Sequence, residues 1–228
     1  LPESIEMKDI EIRLTSDGSK TLYLPSLDET YHSNHGAIQE AKHVFIEHGL
    51  KHVHEFGMEK IRVFEMGFGT GLNALLTAQW AMENQQHMEY IGIELHPVDK
   101  EIWQQMDYVQ SSEDVALYER IMSCECESTQ EINAFFKLKK IAQDVTQVAL
   151  SDRVDLIYFD AFGPRAQIEM WDLPVLQKMH ELLNDGGIFV TYCAQGQMKR
   201  HLKSLGFEIT SLPGPPGKRE MTRAKKLM

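Results

Sequence analysis

Apolar residues arrive in two rhythms along this chain. Compact runs at Ile61–Glu65, Glu89–Glu94, Phe136–Ile141, Val154–Phe159 and Ile188–Tyr192 read as strands. Between them, Gly71–Glu83 carries Leu72, Leu75 and Leu76 on one helical face, and a helix capped by Asp172 carries Val175, Leu176, Met179, Leu182 and Leu183. Pro97 suits the first turn of a helix running to about Tyr108. The stretch 111–133 reads as helices with loops. Upstream, Ile10–Leu14 and Thr21–Leu24 flank Asp17-Gly18 as a hairpin, and a helix from about Asn34 stops at Gly49. Downstream, Met198–Leu205 is a short helix, and Phe207–Leu212 and Glu220–Ala224 are strands. Pro213–Gly217 between them is too short for a crossover helix, so they pair antiparallel. Alternating strands and helices with right-handed crossovers predict an α/β fold. The expected form is a Rossmann-like, seven-stranded sheet ending in an antiparallel hairpin. Residues 1–55 form an N-terminal β-hairpin and helix extension to the main domain, 56–228.

Composition narrows the class. The chain has 228 residues, 43% of them hydrophobic and 25% charged, the balance of a globular domain with a proper core. No apolar run approaches the roughly 18 residues of a membrane span, and Leu1–Arg13 is too charged for a leader. Cys124, Cys126 and Cys193 fit neither a disulfide scaffold nor a common zinc pattern, so a reduced, cytoplasmic setting and no metal are expected. The net charge of −11 argues against a nucleic-acid partner, but it is unevenly spread. From Gln195 onward eight basic residues oppose only Glu208 and Glu220, a local +6 against −17 elsewhere. A basic end on an acidic body can still present one anion-binding face, although a solvated tail has the same composition.

The candidate chemistry sits after the strands. Glu65-Met-Gly67-Phe-Gly69-Thr-Gly71 follows the first core strand and opens the first core helix. Glycines there let the backbone turn tightly and approach a ligand, although a tight turn alone asks for the same residues. The Gly-x-Gly-x-Gly spacing differs from that of dinucleotide enzymes. It resembles motif I of S-adenosylmethionine enzymes, whose class I architecture is the sheet expected here. Glu94 ends the next strand, about 20 residues past the loop, where an acid accepts ribose hydroxyls. Asp144, past the third strand, is placed for an adenine amino group, and Asn73 joins Glu65, Gly67, Gly69, Gly71, Glu94, Asp144 and Asp160 as a cofactor-binding candidate. Asp160-Ala161-Phe162 follows the fourth strand. Ligands of open α/β sheets bind outside these strand ends. A carboxylate there can accept a hydrogen bond from an amine and hold the charge that forms as a methyl group arrives. Phe162 and Trp171 can stack on a planar base, and Trp171 is equally suited to a core.

These residues resemble one family closely. Leu27-Asp28-Glu29-Thr30-Tyr31-His32-Ser33, Gly36, Glu40, Val44-Phe45, the Glu65–Gly71 loop, Asp160-Ala161-Phe162 with Pro164, Met170-Trp171, Thr191-Tyr192, Gly206-Phe207 and Pro213-Gly214 with Gly217-Lys218-Arg219-Glu220-Met221 are similar to motifs of the methyltransferase domain of the bacterial tRNA 5-methylaminomethyl-2-thiouridine biosynthesis protein MnmC. The resemblance spans nearly the whole chain. It implies methyl transfer from S-adenosylmethionine to the primary amine of 5-aminomethyl-(2-thio)uridine at the tRNA wobble position. It makes Asp160 and Phe162 the catalytic pair, and Tyr31, Trp171, Lys199, Arg200, Lys218 and Arg219 the contacts to the anticodon loop. It further implies a stand-alone methyltransferase without the fused FAD-dependent oxidase, with a separate oxidase or other enzymes making the aminomethyl precursor. The chain departs from the family at Ala166-Gln167-Ile168-Glu169, where an Asn-Pro pair is usual.

Three other readings stay open. A spermidine-synthase-like aminopropyltransferase would share the sheet and an Asp after strand four, but its second Asp falls here on Gly163. A small-molecule amine methyltransferase would leave the basic end without a role. A non-catalytic RNA-binding module would not need an intact glycine loop with Glu94 and Asp160.

Overall fold

Strict alternation along the central strands sends successive side chains to opposite faces, and both faces are apolar. Val63, Leu156, Tyr158, Ile188 and Val190 enter one core, while Phe64, Ile157, Phe159 and Phe189 enter another. A sheet with two buried faces needs a helical layer on each side. The computed structural model describes residues 10–228. Residues 1–9, which carry much of the reading against a leader and the start of the N-terminal extension, lie outside the described residues.

The described residues begin with a small antiparallel sheet, β1 (Glu11–Leu14), β2 (Lys20–Leu24) and β3 (Glu29–Thr30). A continuous helix, α1, follows over 37–54, with wider, π-type turns through Lys42–Leu50. The main sheet contains β4 (Lys60–Met66), β5 (His87–Ile93), β6 (Thr129–Asn133), β7 (Phe136–Ile141), β8 (Val154–Phe159), β9 (Leu183–Thr191), β10 (Phe207–Pro213) and β11 (Glu220–Lys226). Its order is β10-β11-β9-β8-β4-β5-β7-β6. The five central strands are parallel, while β10, β11 and β6 pair antiparallel. On one face lie α1 and α2 (Leu72–Asn84). The other is covered by α5 (Leu173–Leu182) and α6 (Gly196–Ser204). Two further helices, α3 (Lys100–Trp103) and α4 (Ser112–Ser123), lie between β5 and β6.

This is the expected Rossmann-like fold with its terminal hairpin, but among the described residues the main sheet has eight strands and not seven. The extra strand, β6, comes from the end of the stretch read as helices and loops. Its TQEIN sequence buries only Ile132 fully, so it lacks the apolar signature of a central strand. It is an edge strand folded back on β7. Gly49 does not end α1. A Cβ there would stand 3.0 Å from Val190 Cγ2 and 3.3 Å from Tyr158, so glycine serves close helix–sheet approach. The helix after Pro97 spans only Lys100–Trp103. Asp172 precedes α5 with extended backbone, but its side chain makes no capping hydrogen bond.

From β4 the chain moves first toward β5 and β7, then returns to place β8 on the other side of β4. The crevice beyond the carboxyl ends of β4 and β8 is therefore the topological switch point, where open α/β sheets bind ligands.

Candidate active site

A cleft of about 970 Å³, counting the space that runs out to solvent, opens at this switch point. Its floor is the loop between β4 and α2. Gly67 has φ +86°, and a Cβ on it would lie 2.5 Å from the Asp160 carbonyl oxygen. No side chain fits there, so β4 can leave the sheet directly beside the end of β8. The N–H groups of Gly67 and Phe68 both donate to the Ile93 carbonyl at 3.1 Å, which ties the loop to β5. Phe68 lies over Gly92, where a Cβ would meet its ring at 2.2 Å.

Glu94 closes the β5 side. Its Oε2 accepts from Gly69 N–H at 3.1 Å and its Oε1 from His96 N–H at 3.0 Å. Each oxygen keeps a lone pair for a ligand hydroxyl. Burial pushes this carboxyl up, against the lowering effect of those hydrogen bonds. Asp144 lines the same cleft from beyond β7, but its Oδ1 accepts from Thr146 N–H at 2.8 Å and Thr146 Oγ1–H at 2.7 Å. One of its oxygens is thus committed to the local turn.

Asp160 closes the β8 side. Asn73 Nδ2 donates to its Oδ2 at 2.9 Å, which leaves Oδ1 for a ligand. Burial, then the Glu40 charge, push Asp160 up to about 7, against the Asn73 hydrogen bond and Lys218. At neutral pH this side chain can therefore both take and release a proton. Phe162 follows it, with Tyr31 edge-on at 5.0 Å between ring centroids. Tyr31 also touches the glycine loop, 3.0 Å from where a Cβ of Gly69 would be.

Several expected contacts lie elsewhere. Glu65 is fully buried behind the cleft and accepts from Asn73 Nδ2 at 2.9 Å. Gly71 does not line the cleft. It begins α2 at φ +72°, where a Cβ would run into the Met122 sulfur at 2.5 Å. Trp171 is only 2% exposed and offers no free face to a base. Its indole N–H donates to the Phe162 carbonyl at 2.8 Å, so it holds the loop that carries Phe162. Of the four basic candidates, Lys199 pairs with Glu220 at 3.2 Å. Lys218 pairs with the buried Glu40 and lies 3.7 Å over the Tyr192 ring. Arg200 is held by Gln197, and Arg219 lines a shallow cleft with Tyr192, Gln195 and Lys218.

Sequence reasoning did not single out His32, Phe68, His96 or Glu40 as site residues. His32 lines the cleft, its Nδ1 has no hydrogen-bond partner among the described residues, and burial pushes it down to about 4, leaving a neutral imidazole. A glycine inside β5 was the available signal for Phe68, since an in-strand glycine marks close approach.

Comparison with known proteins gives a consistent picture. Residues 108–227 match the model of a family described as S-adenosyl-L-methionine-dependent methyltransferase. The tRNA 5-methylaminomethyl-2-thiouridine biosynthesis bifunctional protein MnmC of Cupriavidus metallidurans is 30% identical over 93% of this chain and 33% of its own length. The chain thus spans about a third of the curated relatives it matches. The crystal structure of MNMC2 from Aquifex aeolicus superposes with a TM-score of 0.75 at 27% identity, covering 100% of this chain and 72% of that one. Spermidine synthase from Thermotoga maritima superposes at 0.58 with 14% identity, over 95% of this chain and 69% of that one, and shares the fold.

Proposed function

Because the chain belongs to the S-adenosyl-L-methionine-dependent methyltransferases, we propose that it methylates the primary amine of 5-aminomethyl-(2-thio)uridine at the wobble position of tRNA. One observation carries the choice of an amine. Asp160 stands at the switch point with one oxygen uncommitted, a proton affinity near neutrality and aromatic rings beside it. The likeness to MnmC and MNMC2 supports the choice of tRNA.

The residues present fit the cofactor. Gly67 and Gly69 leave room against the backbone, and Glu94 retains acceptor capacity for ribose hydroxyls. When bound, S-adenosylmethionine supplies an electrophilic methyl group. Asp160 Oδ1 would accept an N–H of the substrate amine, orient the nitrogen lone pair and receive the proton that the nitrogen gives up on alkylation. Phe162 and Tyr31 would hold the base, which a single-stranded loop can splay out. Arg200 and Arg219, less neutralised by carboxylates than Lys199 and Lys218, would meet the phosphates.

The test is transfer of labelled methyl from S-adenosylmethionine to an acceptor panel: tRNA carrying 5-aminomethyluridine, unmodified tRNA, putrescine and spermidine. Label only in the amine-bearing tRNA is expected. Label only in the small amines would overturn the proposal in favour of a small-amine enzyme.

A further inference from the structure

Behind Asp160 lies a buried polar line that the proposed reaction does not use. Glu65, Asn73 and Tyr90 are 0%, 2% and 1% exposed. Asn73 Nδ2 donates to Glu65 Oε1 and to Asp160 Oδ2, each at 2.9 Å. An amide nitrogen has two hydrogens, so one goes to each carboxyl and the donor is saturated. Among the described residues, Glu65 Oε2, Asn73 Oδ1 and the Tyr90 hydroxyl have no hydrogen-bond partner of ordinary geometry, and Tyr90 lies against Glu65, where it lowers the carboxyl. No cation pairs with Glu65 among the described residues. A charge left alone at that depth is strongly disfavoured, because it gives up its hydration with no partner in return. Burial holds the Glu65 carboxyl well above its ordinary range, and the Asp160 charge adds to this. Of the two carboxyls that share Asn73, Asp160 is the one that opens on solvent and can carry the charge.

We propose that Glu65 serves methyl transfer as a positioning residue for Asp160, acting through Asn73, and does not contact the cofactor. Glu65 Oε1 orients the Asn73 amide, the amide engages Asp160 Oδ2, and Oδ1 is left aimed into the cleft. Asn73 is the hinge of this arrangement, since it donates to both carboxyls and also lines the cleft. This inference rests on the amine-methyltransferase reading for its choice of reaction, while its geometry is independent of which amine is the substrate.

Glu65→Gln and Glu65→Leu test it, with turnover measured on whichever acceptor the parent uses and S-adenosylmethionine affinity measured separately by calorimetry. Glu65→Leu should lower kcat by about 10²-fold, as expected when a proton acceptor is misplaced, with cofactor Kd within about threefold. Glu65→Gln preserves the acceptor for Asn73 and carries no charge, so it should restore kcat to within about threefold of the parent. The acid limb of its pH–rate profile should stay in place. If Glu65→Leu fails to fold, Glu65→Gln still decides the matter. A pH–rate limb moved by about one pH unit, or a cofactor Kd raised about tenfold, would mean that Glu65 is charged or touches the cofactor, and would overturn the inference. The pH dependence of cofactor-free thermal stability adds a readout outside catalysis: Glu65→Gln should track the parent. If the parent methylates small amines and not tRNA, the substrate reading fails while this comparison still stands.

Discussion

Replacing Asp160 by Asn should exchange catalysis for stability. Burial and the Glu40 charge raise the Asp160 carboxyl from 3.8 to about 7, so the folded chain binds its proton more tightly than the unfolded chain. Between about pH 4 and about pH 7 the folded state therefore holds more proton, stability falls as pH rises, and above this window the loss is complete. At 1.36 kcal/mol per tenfold change in proton affinity, a fully dry carboxyl would lose about 4 kcal/mol. Asp160 is partly open to the cleft, so screening by solvent brings this to about 2–4 kcal/mol. The amide oxygen introduced by Asp160→Asn can still accept from Asn73 but has no charge to desolvate. Without cofactor, Asp160→Asn should melt above the parent at about pH 8 by roughly 4–16 °C, using 2–4 °C per kcal/mol for a chain of this size. The gap should narrow toward about pH 4. Methyl transfer should fall by about 10²–10⁴-fold. Thermal melts of both proteins across this range measure the effect. A gap that is independent of pH, or one that widens as pH falls, would refute a costly buried charge at Asp160.

Other consequences are as specific. Gly67→Ala forces a Cβ toward the Asp160 carbonyl at φ +86°, so it should cost about 1–3 kcal/mol in denaturant unfolding and abolish calorimetric cofactor binding. Glu94→Ala should weaken cofactor binding at least tenfold (about 1.4 kcal/mol), and Asp144→Ala by less, because Asp144 is partly spent on Thr146. Trp171→Phe removes the hydrogen bond to the Phe162 carbonyl, about 1 kcal/mol, and should lower kcat while leaving cofactor Kd unchanged. Arg219→Glu should raise KM for tRNA and make it less sensitive to salt than in the parent, with no change in KM for cofactor; equal effects on both would remove Arg219 from the RNA surface.

The strands that shape this site were legible because their residues answer to one dominant force. Val154–Phe159 is buried on both faces, and its apolar run coincides with the observed strand. The glycine loop was legible because Gly67 has a conformation and a close contact that other residues cannot match. The edge strand at Thr129–Asn133 escaped because only one of its side chains is fully buried, and backbone pairing to β7 leaves no apolar trace. Glu65 and Trp171 were placed in the ligand's path because motif spacing gives the element, not the direction of a side chain. Glu65 precedes the glycine loop but points into the core, and Trp171 turns its indole N–H back to the Phe162 loop. The Lys218–Glu40 pair joins residues 178 positions apart, a distance over which no local pattern speaks. It nonetheless bears on the site, since after burial Glu40 raises and Lys218 lowers the Asp160 carboxyl.

The most direct test of the central claim is the identity of the methylated product. The tRNA bearing 5-aminomethyluridine would be incubated with the protein and S-adenosylmethionine, digested to nucleosides and analysed by mass spectrometry, with Asp160→Ala in parallel. The expected result is a wobble nucleoside heavier by one CH₂ unit, with fragmentation placing the gain on the exocyclic amine, and almost none with Asp160→Ala. Methylation at another nucleoside, or no methylated nucleoside from a protein that binds S-adenosylmethionine, would contradict it.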